Sequence, residues 1–438
     1  MLGILVFYYC LGNYLIAFWE NVSMFAWIWL LLVIALQLVA LVLIFLWQPP
    51  RMMATVILAV VVLVTGFLTP WSLLLGIPLL LAALVIAIDT LRQNWIIKPA
   101  YHHLSTAMPP MSDTEKEALD AGSSWWEKEL FMGKPDWQTF ANYPYPTLTA
   151  QEQAFLDNEV NTLCAMVDEW QINQNKGLSD DAWQYIKSQG FLGLIIPKEY
   201  GGLAFSAYAQ SRVMSKIASR SVTTAVTCMV PNSLGPGELL MKYGTDEQKN
   251  RWLPGLAKGK EIPCFGLTGP EAGSDAGAIP DTGIVGFGEY QGKQVLGLTM
   301  NFSKRWITLA PIATVVGLAF KLYDPDGLLP KYCAKELGID TDGIDTDKAH
   351  KVDYGITCAL IPADHEGVVI GGRHSPSGSP FMNGTVTGSH VFIPLDFIIG
   401  GVKNAGKGWR MLMECLGVGR GISLPALSTA NAEMVYLT

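Results

Sequence analysis

Four apolar runs open the chain. Leu2–Trp19 and Met24–Trp47 are long enough to cross a bilayer as helices, because a hydrocarbon core of about 30 Å takes about 20 residues at 1.5 Å rise each. Met52–Leu68 and Trp71–Ile88, separated by Thr69-Pro70, read as a shorter helical hairpin, with Gly76 and Pro78 weakening its second member. From Thr149 to Leu256 the apolar residues recur at helical spacing. Phe155, Val160, Leu163 and Val167 make one stripe, and Trp183, Ile186 and Phe191 another. Thr149-Ala-Gln-Glu152 has the spacing of a capping box, and Gly190, Gly201-Gly202 and Gly244 punctuate the helices. After Gly259 the pattern shifts to short β-type runs: Gln294–Leu298, Trp306–Leu309, Thr314–Phe320, Thr357–Ile361 and Gly367–Ile370. The fold class predicted is α+β: about four transmembrane helices in 1–98, a connector over 99–148, a helical domain over 149–259, a small β domain over 260–403, and the start of a second helical domain over 404–438.

Two segments interrupt this order. The connector is rich in Pro, Trp and charge, with one short helix expected from Ser112, whose Ser-Asp-Thr-Glu115 has capping-box spacing, and with Pro144 and Pro146 at its end. Within the β domain, 324–353 is a polar insert rich in lysine and aspartate. Its Asp340-Thr-Asp-Gly-Ile-Asp-Thr-Asp347 lacks the spacing and terminal Glu of an EF-hand loop and reads as solvated, so no metal site is expected.

Charge sharpens the membrane reading. Residues 1–88 carry only two charged side chains, Glu20 and Arg51. Arg51, Arg92 and Lys98 belong on the cytoplasmic side, which places the rest of the chain in the cytoplasm at an inner, multi-pass membrane. The first run lacks a basic n-region and a small-residue cleavage pattern, so a cleaved signal peptide is disfavoured. Seven scattered cysteines without a C-x-x-C give neither a disulfide framework nor a zinc site. A net charge of −8 and the lack of a basic, aromatic-interleaved cluster argue against nucleic acid. His102-His103 reads as an interfacial pair.

The chemistry concentrates in two places. Phe265-Gly-Leu-Thr-Gly-Pro-Glu-Ala-Gly-Ser-Asp-Ala-Gly277 sets Thr268 and Ser274 among glycines that let backbone N–H groups approach a negatively charged ligand. Lys304-Arg-Trp-Ile-Thr308 offers a flat apolar wall and a hydroxyl. An isoalloxazine ring needs a stacking surface, donors along its N1/O2 edge and a polar contact at N5. Other nucleotide signatures fail: there is no G-x-G-x-x-G, and Gly401-Val-Lys-Asn-Ala-Gly-Lys-Gly408 has Gly408 where a P-loop needs Ser or Thr.

This ordered pair resembles the two flavin-binding signatures of the acyl-CoA dehydrogenase family, across roughly residues 150–430. Leu194-Ile-Ile-Pro-Lys-Glu-Tyr-Gly-Gly202, Tyr243-Gly-Thr-Asp-Glu-Gln-Lys249 before Leu253-Pro254, and Phe392-Ile-Pro-Leu-Asp-Phe-Ile-Ile-Gly400 before Gly408 match as well. The likeness is greatest to the long, membrane-associated bacterial enzymes of fatty-acid β-oxidation. It departs at Gly269, where many relatives carry Glu.

The resemblance implies FAD as cofactor and α,β-dehydrogenation of a long-chain acyl-CoA to the trans-2-enoyl-CoA. It implies that Phe265, Leu267 and Thr268 line the ring edge, that Gly273 belongs to the cofactor-binding loop, and that Ser274 faces both the pyrophosphate and the acyl-CoA. Trp306 would pack on the ring, Ile307 contribute backbone and Thr308 approach N5, while Arg420 in Gly417-Val-Gly-Arg-Gly421 would contact substrate or stand as a surface cation. An electron-transferring flavoprotein is implied as acceptor, and a homo-oligomer when complete. The family's catalytic glutamate matches no segment here, neither Glu414 nor Glu433, so it is expected beyond residue 438 and the chain by itself is expected to be inactive. The rival reading is a non-catalytic membrane protein that keeps the fold for acyl-CoA or flavin binding or for partner contact.

Overall fold

The computed structural model describes residues 24–107, 126–336 and 352–438, together with 116, 119 and 120. The chain divides into two units, Met1–Pro110 and Met111–Thr438.

In the first unit, α1 (Met24–Trp47), α2 (Arg51–Leu68) and α3 (Leu73–Ala87) follow one another, with a 3-10 turn at Pro70–Ser72 between the last two. Three stretches, Ile28–Trp47, Arg51–Leu68 and Pro70–Ala87, are long and apolar enough to span a bilayer. The run Leu2–Trp19 lies outside the described residues. Pro78 sits inside α3 without ending it. A buried polar contact joins α1 and α2: Gln37 Nε2 donates to Thr65 Oγ1 at 2.7 Å. Gly76 makes the close approach possible, since a Cβ there would lie 2.7 Å from Val62 and 3.2 Å from Gln37 Nε2. Arg51 at the start of α2 meets Asp89, just past α3, at 3.7 Å, and Arg92 meets the same carboxylate at 2.5 Å. Both ends of the α2–α3 hairpin therefore lie on one side.

The second unit begins with two short helices, Glu127–Phe131 and Trp137–Ala141, the latter capped by Asp136. The helix expected from Ser112 lies outside the described residues. The Thr149 box forms as expected, with Thr149 Oγ1 accepting from Glu152 N and Glu152 accepting from Thr149 N. The first apolar stripe runs over two helices rather than one, α4 (Ala150–Asp157) and α5 (Glu159–Met166), because the chain turns at Asn158. Further helices carry this part, among them α6 (Asp180–Ser188), α7 (Ala207–Ala218), α8 (Pro236–Tyr243) and α9 (Asp246–Ala257). Phe155, Leu163, Ile186, Phe191, Val213, Met214 and Ile217 are buried together. Asn232 staples the core: its Nδ2 donates to Phe191 O and Cys228 O while its Oδ1 accepts from Leu194 N.

Seven strands follow: β1 (Pro263–Gly266), β2 (Thr282–Tyr290), β3 (Lys293–Thr308), β4 (Val315–Tyr323), β5 (Asp353–Pro362), β6 (Val368–Arg373) and β7 (Asn383–Pro394). They form one sheet of order β1-β4-β2-β3-β7-β6, with β5 on the other edge of β4. Two runs read separately from the sequence, Gln294–Leu298 and Trp306–Leu309, fall largely in the single long β3. A helix, α10 (Leu328–Glu336), lies in the polar insert, started by Asp324, whose carboxylate accepts from Leu328 N and Leu329 N. The aspartate run 340–347 lies outside the described residues. Finally α11 (Gly408–Glu414) and α12 (Leu416–Leu437) return to the helical part, where Ser423 meets Gln210 Nε2 at 3.2 Å and Ser233 Oγ at 2.6 Å.

Candidate functional site

The two glycine-flanked signatures meet at the start of the sheet. β1 runs parallel to β4, with Phe265 opposite Gly317, and ends at Gly266, so the Thr268–Gly277 loop leaves from the strand tip. β3 arrives beside it. A buried ion pair binds them: Lys304 Nζ lies 2.5 Å from Asp281 Oδ2, both side chains being almost wholly buried, and donates to Leu267 O at 2.9 Å. Asp281 Oδ1 accepts from Ser303 N at 2.8 Å, and Arg305 N donates to Thr268 O at 3.1 Å. Burial pushes the Lys304 ammonium below its ordinary value, against the pull of the Asp281 charge. This clip makes one wall of two distant segments.

Beyond Lys304 the strand bulges. The β3–β7 register shifts between Lys304 and Ile307, and Trp306 takes φ of 61°, a left-handed conformation that bulky residues rarely adopt. The bulge turns the indole outward, 46% exposed, while Ile307 is buried. Arg305 lies 5.1 Å over the Trp306 ring, and the His374 ring packs on it with centroids 4.5 Å apart. Thr308 pairs with Asn383 across the ladder, and Asn383 Nδ2 donates to Thr308 Oγ1 at 3.3 Å. Asn383 Oδ1 and His374 Nε2 are buried without a hydrogen-bond partner among the described residues.

The residues named from the sequence divide accordingly. Thr268, Trp306, Ile307 and Thr308 come together on this wall. Phe265 and Leu267 bury their side chains in the core, Leu267 offering its carbonyl to Lys304. Gly273 and Ser274 are exposed in the loop, and nothing stands within 4 Å of a Cβ built on Gly273. Gly269 is held close, 3.0 Å from Ser303 O measured from its built Cβ, so a side chain there is crowded by backbone. Arg420 is exposed on α12 and belongs to none of the hydrogen bonds that build the wall. Asp281, His374 and Asn383 did not stand out in the sequence. The one available signal was Lys304, since a lysine inside a strand pattern needs a buried carboxylate somewhere.

Two carboxylates lie near the α8–α11 junction. Glu414 accepts from Lys242 at 2.6 Å, from Arg410 at 2.7 Å and from the Tyr243 hydroxyl, and these hold it down to about 2, a poor proton acceptor. Glu238 is half-buried, and burial raises it to about 7 against the opposing Lys242 charge. Among the described residues no group of three or more His, Cys, Asp or Glu side chains is placed to hold a metal ion.

An α+β arrangement of a helical part, a seven-stranded sheet and a returning helix, with a glycine loop clipped to a bulged tryptophan strand, defines the class. Residues 147–260 match the acyl-CoA dehydrogenase N-terminal domain. It is 28% identical over 324 residues to the probable acyl-CoA dehydrogenase FadE10 of Mycobacterium tuberculosis, covering 72% of this chain and 44% of that protein. It is 30% identical over 257 residues to the human mitochondrial short-chain specific acyl-CoA dehydrogenase, covering 57% and 53%. Over 115 residues it is 68% identical to Protein HemX of Proteus mirabilis, covering 26% and 56%. The chain thus spans about half the length of these curated relatives. Among solved structures, butyryl-CoA dehydrogenase from Megasphaera elsdenii shares the fold, with a TM-score of 0.52 at 20% identity over 66% of this chain and 68% of that one.

Proposed function

We propose that the chain carries the cofactor wall of a membrane-anchored, FAD-dependent acyl-CoA dehydrogenase that converts a long-chain acyl-CoA to its trans-2-enoyl-CoA in fatty-acid β-oxidation. The observation that carries this reading is the clip of Lys304 and Arg305 onto Leu267 and Thr268, which sets an exposed indole, a threonine hydroxyl and orphaned polar atoms on one wall. These groups fit a planar ring with a polar edge. FAD, when bound, supplies the acceptor for the β-hydrogen of the thioester.

The chain's own groups bind and orient. Trp306 gives a stacking face, Thr268 and Thr308 give hydroxyls to the ring edge, and the open Gly273–Ser274 turn leaves room for a phosphate. Ser274 and Arg420 are the residues proposed for acyl-CoA, and an electron-transferring flavoprotein is the proposed acceptor. The three apolar helices support attachment to the inner membrane, with the second unit in the cytoplasm and long-chain substrates presented there; the assembled enzyme is proposed to be a homo-oligomer.

The test uses the full chain in detergent with added FAD. Tight or measurable flavin binding that weakens in Trp306→Ala and Thr308→Ala supports the reading. Absence of flavin binding, or binding by both variants as tight as that of the wild type, overturns it.

A further inference from the structure

We infer that Asn383, on β7, is a cofactor-contacting residue whose side-chain oxygen accepts a hydrogen bond from the flavin ring beside Thr308 and favours the reduced ring; this rests on the flavin reading above. Three observations carry it. Asn383 is 3% exposed, so its amide has no access to bulk water, yet its Oδ1 has no donor among the described residues. A buried amide oxygen left unpaired costs about 1–3 kcal/mol, a cost that a ligand donor removes. Its Nδ2 is already committed to Thr308 Oγ1, which fixes the amide's orientation and points the Thr308 proton away from Asn383. The two side chains thus present opposite polarity at neighbouring places: a hydroxyl that donates and a carbonyl that accepts.

The neighbouring side chains suit a flat ligand. Trp306, turned out by the bulge, and His374, packed against it, put aromatic faces beside this pair, and His374 Nε2 is a second buried atom without a partner among the described residues. A flavin ring carries acceptors along its edge in both redox states, whereas N5 bears a proton only when the ring is reduced. An acceptor placed where Thr308 approaches N5 therefore binds the reduced ring better than the oxidised one. Loss of that acceptor lowers the midpoint potential.

The experiment compares wild type, Asn383→Leu, Thr308→Val and the double variant as full chains in detergent, reading FAD affinity by fluorescence and midpoint potential by spectroelectrochemical titration. Circular dichroism checks that each is folded. Asn383→Leu is expected to lower the preference for reduced flavin by about fivefold to tenfold, a tenfold change being about 30 mV for a two-electron couple. The double variant is expected to lose less than the sum of the single losses, because the two side chains share a bond. If Asn383→Leu fails to fold, Asn383→Thr, which keeps a shorter acceptor, is expected to show a smaller shift of the same sign. A wild-type chain that binds no FAD overturns the flavin reading and this inference with it. Wild-type binding with an unmoved potential in the folded Asn383 variants overturns this inference alone.

Discussion

Replacing Asp281 with leucine strands the Lys304 ammonium. In the native chain that ammonium has two acceptors, Asp281 Oδ2 at 2.5 Å and Leu267 O at 2.9 Å, and no access to solvent. After Asp281→Leu only the neutral carbonyl remains, and Ser303 N loses its acceptor as well. Removing one partner of a buried pair costs about 3–5 kcal/mol, because the remaining charge stays desolvated. For a unit of this size that corresponds to a fall in melting temperature of roughly 6–10 °C, at about 2 °C per kcal/mol. The double replacement Asp281→Leu with Lys304→Met removes the charge with its partner and is expected to recover much of the loss. The two single costs should therefore exceed the cost of the double variant.

The pH dependence gives a second readout. A lysine whose folded value lies below its unfolded value binds fewer protons folded than unfolded in the interval between them, so stability rises with pH there. Lys304 already stands below its ordinary value, and loss of Asp281 depresses it further. The Asp281→Leu variant should regain stability as pH is raised from neutrality towards 10. Thermal unfolding followed by circular dichroism at pH 7, 8 and 9 checks this. Equal melting temperatures for Asp281→Leu and wild type, or a double variant no more stable than either single, would refute the role given to the clip.

Glu238→Gln should stabilise the chain at pH 7 by about 1 kcal/mol after solvent screening. The raised folded value means that native stability falls as pH rises from about 4.5 through about 7, so the advantage should vanish below pH 4.5 in an unfolding titration. Glu414→Gln should act in the opposite window: the lowered value gives stability present above 4.5 and lost as pH falls towards about 2, and acid unfolding should begin at higher pH in the variant. In the first unit, Gly76→Ile should force α3 away from α2, since even a Cβ lies 2.7 Å from Val62, and detergent-solubilised protein should unfold at lower temperature while Ile77→Val has little effect. A form beginning at Pro99 should leave the membrane fraction in high salt; full retention there would contradict anchoring by the apolar helices.

The helical stripes and the apolar runs were legible because they depend on spacing alone: a residue's burial in a helix follows from its neighbours three and four positions away. Even so, the stripe from Phe155 to Val167 hid the turn at Asn158, since two short helices in series keep nearly the same period. The capping box at Thr149 was legible for the same local reason. β2 was not. Thr282–Tyr290 carries Gly283, Gly286 and Gly288, residues that weaken a strand, and it forms because rings from other strands fill the vacant places. Phe320 stands 2.6 Å from a Cβ built on Gly283, and Phe392 stands 2.5 Å from one built on Gly288. β3 read as two runs because Asn301, Ser303 and Lys304 broke its apolar pattern, whereas in the structure pairing with β2 and β7 runs through them and Asp281 meets the buried Lys304.

The cradle divides in the same way. The loop glycines, Thr268, Trp306 and Thr308 were visible as residue types in order. Their union was decided in three dimensions, by an ion pair spanning residues 281 and 304 and by a ladder that sets Thr308 beside Asn383. A pattern along the chain records what each residue prefers nearby. Which distant group satisfies a buried charge or leaves an amide oxygen unpaired is set by packing, and no local preference encodes it.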